Sequence, residues 1–118
     1  IADIENGHHY SMWKDDEICG VFAFIIGEDE TYRFIDGKWL NEEIYGTIHR
    51  VASSGRVRGI FEVCLAFCES KIPNIRIDTH EDNKIMQHLV EKNGFQECGI
   101  ITVADGSPRK AYQKEKIG

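Results

Sequence analysis

Hydrophobic and polar positions divide the chain into short segments of changing period. "HHYSMWK" (residues 8–14) alternates weakly, the polar turn Asp15-Asp16-Glu17 follows, and "ICGVFAFIIG" (residues 18–27) is apolar nearly throughout. This predicts a hairpin whose second strand is buried on both faces. "EDETYRFIDGKWLNEE" (residues 28–43) is an excursion, acidic and aromatic by turns, with Asp36-Gly37 as the expected tip of a small hairpin. "IYGTIHRVA" (residues 44–52) predicts another strand, broken by Ser53-Ser54-Gly55. In "RVRGIFEVCLAFCE" (residues 56–69) apolar residues recur at Ile60, Val63, Cys64 and Phe67, a helical spacing, and Pro73-Asn74 stops it. A short strand, residues 75–78, leads to a second helix over residues 83–93. Thr79, Asp82 or Asn83 is its cap, and Ile85, Met86, Leu89 and Val90 are its inner face. Asn93-Gly94-Phe95 ends it, with glycine at the left-handed position. Residues 97–103 and 109–114 read as two last strands around the turn "ADGSP".

This order predicts an α/β (α+β) fold. The strand–helix–strand–helix–strand middle calls for parallel pairing through right-handed crossovers, and the flanking hairpins for antiparallel pairing. A mixed, mostly antiparallel central sheet covered by helices follows. The length of 118 residues and a 42% hydrophobic content fit one domain, 1–118, around one core. A net charge of −6 argues against nucleic acid as a partner, because binding it takes a basic surface. The longest apolar run, "VFAFII", is far shorter than a membrane span, so no membrane partner is expected. Cysteines stand at 19, 64, 68 and 98 with no C-x-x-C pair. No metal site is expected, and reduced, buried thiols suit a cytoplasmic protein.

Charge changes the picture in one place. From Thr47 to Phe61 there is no acidic residue, and the window holds His49, Arg50, Arg56 and Arg58. A strand ends there, a Ser-Ser-Gly loop turns, and a helix begins at a glycine. Unpaired N–H groups, a favourable dipole and close backbone approach at Gly59 make this a phosphate-binding arrangement. Neither G-x-x-x-x-G-K-[ST] nor G-x-G-x-x-G is present, so the phosphate is expected to belong to another kind of cofactor.

"RVRGIF" (residues 56–61) resembles the Q/R-x-x-G-x-G/A signature of the GNAT superfamily, the Gcn5-related N-acetyltransferases. "NKIMQHLVEKNGF" (residues 83–95) resembles the family's N-x-x-A-x-x-x-Y-E-K-x-G-F, and the wider text from about residue 9 onward is similar to bacterial members. The resemblance implies a GNAT-like acyl-CoA acyltransferase fold. It also implies N-terminal truncation, since the family's first strand and first two helices would precede residue 8. The exposed edge so left can be covered by a second copy, giving a monomer or a homodimer. The activity implied is transfer of an acetyl group from acetyl-CoA (coenzyme A) to an amine of a small molecule or peptide, by direct attack in a ternary complex. Val51 and Ala52 would lie beside the pantetheine, with the Val51 N–H polarising the thioester carbonyl. Arg56, Val57, Arg58, Gly59, Ile60 and Phe61 would surround the pyrophosphate, and Asn83 and Met86 would line the arm.

Two departures bear on catalysis. The family's tyrosine acid falls at Val90, which has no proton to give, and the glutamate base used by some members falls near Gly46. His49, Tyr45, Glu43 and His80 remain as candidate groups, His49 foremost because histidine is the residue type suited to proton transfer near neutrality. The alternative is a catalytically weak or inactive acyl-CoA-binding module, a sensor or assembly element. For the acceptor, Tyr32, Trp39 and Glu43 in the excursion offer rings and a carboxylate to a cationic amine.

Overall fold

One sheet runs through the molecule, built from β1 (Ala2–Asn6), β2 (His9–Lys14), β3 (Glu17–Ile26), β4 (Asp36–Gly37), β5 (Gly46–Ser53), β6 (Asn74–His80), β7 (Gln96–Thr102) and β8 (Pro108–Glu115). The computed structural model describes residues 2–6, 8–53, 55 and 59–115. The strand order is β1-β2-β3-β5-β6-β8-β7-β4. α1 (Ile60–Glu69) connects β5 to β6, and α2 (Lys84–Lys92) follows β6. β5 and β6 are the parallel pair; the other pairings are antiparallel. The mixed, mostly antiparallel α/β sheet is thus as expected.

The parallel core is smaller than expected. β8 inserts between β6 and β7, so the second strand–helix–strand unit makes no parallel pair. The slot suits β8 because Ala111 and Tyr112, on opposite faces, are both fully buried. The bare edge expected on β2 is instead paired with β1. Asp36-Gly37 is not a hairpin tip but a two-residue strand against Ile100 and Gly99. Gly37 and Gly99 both have positive φ, at 143° and 150°, and a Cβ on either would collide with the other strand's backbone. β3 is buried on both faces in its centre, where Phe22, Ala23 and Phe24 are all buried, while Ile18, Val21, Ile25 and Ile26 are exposed.

The helices also turn differently from the expected spacing. α1 buries Ile60, Phe61, Cys64, Leu65 and Cys68 and leaves Val63 outside. α2 buries Gln87 and Val90, while Ile85 is 83% exposed. Gln87 faces inward because its Nε2 donates to the His80 and Glu81 carbonyls at 3.1 and 2.8 Å, tying α2 to the end of β6. Asn83 is the cap: its Oδ1 accepts the Met86 N–H at 3.0 Å.

Two cores result. Phe22, Phe24, Ile48, Ile75 and Ile77 meet the helices on one side of the sheet. Tyr32, Trp39, Tyr45, Ile101 and Ala111 form the other, under the 28–43 excursion. Each such large side chain contributes about 1.5–3 kcal/mol when fully buried. No helix among the described residues is long and apolar enough to cross a membrane.

Candidate functional site

β5 and β6 separate partway along their length. They pair only through Gly46↔Ile75, Thr47↔Arg76 and Ile48↔Ile77. β6 continues to His80 along β8, and β5 continues to Ser53 along β3. Between Ala23↔His49 and Val21↔Ala52, β5 takes one residue more than β3. This is a bulge at Arg50-Val51, and a bulge bends the strand that carries it. A wedge therefore opens beyond Ile48 and Ile77. There the side of β5 turned toward β6 has no strand partner among the described residues, and its peptide groups need partners from elsewhere.

The start of α1 adjoins this free edge. A Cβ on Gly20 of β3 would lie 2.8 Å from the Ala52 carbonyl oxygen and 2.9 Å from Ile60 Cγ2. The missing side chain at Gly20 is what lets the first residue of α1 close onto β5. Gly59, at φ 77°, precedes the helix, and no side chain caps it. The N–H groups of Ile60, Phe61 and Glu62 lie in the first turn, where helix geometry supplies no acceptor. The Glu62 carboxylate in the same turn is bonded to Asn93 Nδ2 of the α2 cap at 2.6 Å. Val51 and Met86 both pack on the rim of the helix-side core. Arg56, Val57 and Arg58 lie outside the described residues. An unpaired strand edge leading to an uncapped helix start fits a ligand with an amide-bearing arm and a phosphate.

On the opposite face, the first residues past the wedge point carry the acid–base groups. His49 Nε2 is 3.2 Å from Asp29 Oδ2, with both side chains partly shielded. A carboxylate only accepts, so Nε2 carries a hydrogen, and in the neutral ring Nδ1 then carries the lone pair. Asp29 is itself fixed: its Oδ1 accepts the Thr31 N–H at 2.9 Å, and its N–H donates to the Tyr45 hydroxyl at 2.7 Å. Across the wedge, the Tyr32 hydroxyl donates to Asp78 Oδ2 at 2.6 Å. Burial, and then the Asp78 charge, hold the Tyr32 pKa well above the ordinary tyrosine value. Val90 is fully buried in the helix-side core. A side chain at position 46 would run into the Phe24 ring, so no carboxylate fits there. His80 is partly exposed at the end of β6, where its Nδ1 accepts the Asp82 N–H at 3.0 Å.

Tyr32, Trp39 and Glu43 are brought together, with Tyr45 and Arg76, around one cavity of about 650 Å³. Its chemistry differs from the expectation. Of the two rings meant for a ligand cation, Trp39 lies against the chain's own Arg76, whose guanidinium is 4.0 Å from the Trp39 ring centre and 3.9 Å from that of Tyr45. The lining is balanced in charge, Glu28, Glu42 and Glu43 against Arg33, Lys38 and Arg76. The cavity adjoins the His49 pair, since Glu28, next to Asp29, and Tyr45, whose hydroxyl accepts the Asp29 N–H, both line it. Sequence reading missed Asp29, Arg76 and Asp78. Residues 75–78 read only as a short strand, and no local signal shows that the excursion covers Arg76 and Asp78.

The chain matches no protein-family model and no curated protein. Among solved structures it is similar to a GNAT-family acetyltransferase from Streptococcus agalactiae 2603, with 38% identity and a TM-score of 0.84, over 95% of this chain and 67% of that one. It shares the fold of a GNAT-family acetyltransferase from Bacillus cereus ATCC 10987, with 23% identity, a TM-score of 0.65 and coverage of 95% and 72%. With the wedge, the bulge and the glycine-led helix on the same strand pair that the sequence motifs flank, the chain belongs to the GNAT family of acetyltransferases.

Proposed function

We propose that residues 1–118 act as one domain that transfers an acetyl group from acetyl-CoA to an amine by direct attack in a ternary complex. The observation that carries this reading is the wedge between β5 and β6, with acid–base groups on one face and an uncapped helix start at its far end. When bound, acetyl-CoA supplies an acetyl group already activated as a thioester. The free edge of β5 at Val51 and Ala52 would hold its amide-bearing arm, with Met86 lining it. Gly59, Ile60 and Phe61, with Arg56, Val57 and Arg58, would face the pyrophosphate. Asn83 accepts the cap bond at Oδ1, and its Nδ2 is free to donate to the arm. The Val51 N–H is the proposed oxyanion donor.

His49 Nδ1 takes the proton of the attacking amine in this reading. Asp29 fixes the tautomer and steadies the imidazolium that forms. Tyr45 is a positioning residue, acting through Asp29 and not on the reacting atoms. Tyr32 is unsuited to act as the acid, since its proton is committed to Asp78 and its pKa is raised.

The test is release of free thiol from acetyl-CoA with a panel of primary amines, with mass spectrometry of each amine. Amine-dependent release and an acetylated product support the reading. Tight acetyl-CoA binding with no transfer to any amine would favour an acyl-CoA-binding module instead. The buried hydrocarbon at Val90 and the blocked position 46 are the features that suit that second reading.

A further inference from the structure

We propose that the cavity under the excursion is a receptor for a small-molecule carboxylate, held by Arg76. Arg76 is 3% exposed and lines the cavity. Of its five N–H groups, the described residues accept one: Nη2 donates to the Asn41 carbonyl at 2.8 Å. Nε is buried with no acceptor. Among the described residues no carboxylate oxygen forms an ion pair with it. The Glu42 carboxylate on the same lining acts on it only from a distance, and a buried cation with no anion in contact is expensive, so proteins retain one where a counter-charge arrives. Burial already pushes the Arg76 pKa down.

The form of the site selects the anion. The Trp39 and Tyr45 rings both lie against the guanidinium and leave its N–H edge as the part a ligand can meet. An edge-on guanidinium matches the two oxygens of a carboxylate. Glu28, Glu42 and Glu43 on the lining oppose a multiply charged phosphate, whereas Arg33 and Lys38 tolerate a single negative charge. At about 650 Å³ the space suits a metabolite-sized molecule. Such a carboxylate has two sources: an acceptor that also carries the reacting amine, or a separate effector. The acceptor source rests on the proposed acetyl transfer; the cavity itself does not.

The experiment is calorimetric titration of the full chain, without acetyl-CoA, with the protein amino acids, their N-acetyl forms and their methyl esters. At least one free acid is expected to bind with Kd below roughly 10 mM, and its ester at least about tenfold more weakly. Arg76→Gln is expected to abolish that preference, and Arg76→Lys to reduce it. The acid–ester comparison needs no variant and stands even where these do not fold. No acid binding better than its ester would overturn the proposal, as would an undiminished preference in folded Arg76→Gln. Acetylation of the bound amino acids would identify an acceptor. Binding of the N-acetyl forms with a change in acetyl-CoA affinity would identify an effector. If acetyl transfer is absent while the acid–ester preference remains, the enzyme reading fails and the carboxylate site stands.

Discussion

Gly20→Ala tests the junction that sets the helix start against the free strand edge. The added Cβ would sit 2.8 Å from the Ala52 carbonyl oxygen and 2.9 Å from Ile60 Cγ2 and Met12 Cε. Met12 Cε is the end of a flexible chain and can move. The Ala52 oxygen is backbone, one residue from the Gly20↔Ser53 pair, and Ile60 opens α1. Relief to an ordinary contact takes about half an ångström, in β5 or in α1. Overpacking of this kind costs about 1–3 kcal/mol, less about 0.4–1 kcal/mol from the stiffer unfolded chain. A net loss of about 1–2 kcal/mol lowers Tm by roughly 4–8 °C for a domain of this size. Because the shift separates the two parts of the proposed cofactor site, acetyl-CoA affinity should fall about tenfold, or ~1.4 kcal/mol. Ile101→Val, in the core of the other face, is the control. It should lose about 0.5–1.5 kcal/mol of stability and leave affinity unchanged. Thermal melts and calorimetric titrations of the three proteins decide it. Unchanged Tm and affinity in Gly20→Ala would refute the reasoning, as would equal loss of affinity in Ile101→Val.

Three further outcomes are expected. His49→Gln should lower kcat by about 10²-fold with acetyl-CoA affinity retained, and Asp29→Asn should lower it less while altering the pH–rate profile; steady-state kinetics over pH will show it. Asn83→Ala removes the α2 cap and should cost about 1 kcal/mol in denaturant unfolding. Tyr32 has a folded pKa above its unfolded value, so the unfolded chain releases that proton first. The contribution of Tyr32 to stability is therefore constant below about pH 10 and falls as pH rises from there toward the folded value. Tyr32→Phe should be less stable at neutral pH yet show a shallower alkaline fall, measured by unfolding at a series of pH values.

The order of strands and helices was legible because it rests on local signals. Apolar runs bounded by Asp15-Asp16, Ser53–Gly55 and Asn93-Gly94 mark element ends wherever they occur. Strand neighbours were less legible. β8 lies between β6 and β7 because a hairpin folds inward, a choice made by the burial of Ala111 and Tyr112 and not by any local pattern. Helix faces misled for a related reason. Gln87 turns inward to bond the carbonyls that end β6, and Ile85 turns out as a consequence. His49 was recognisable by its place in the strand, whereas its partner Asp29 is twenty residues away in sequence, and only tertiary structure brings it near. The excursion was read as a surface for a cation because its aromatics stand among carboxylates. Within it, Trp39 lies against the chain's own Arg76 of β6, a contact that no local pattern shows.

The central claim is that the free edge of β5 and the start of α1 together hold acetyl-CoA. Backbone hydrogen exchange, followed residue by residue during titration with acetyl-CoA, tests it most directly. The account predicts saturable protection at the amides of residues 49–53 and 60–62, with the β7–β8 hairpin unchanged. No protection in a folded chain, or protection confined to residues outside those two segments, would contradict it.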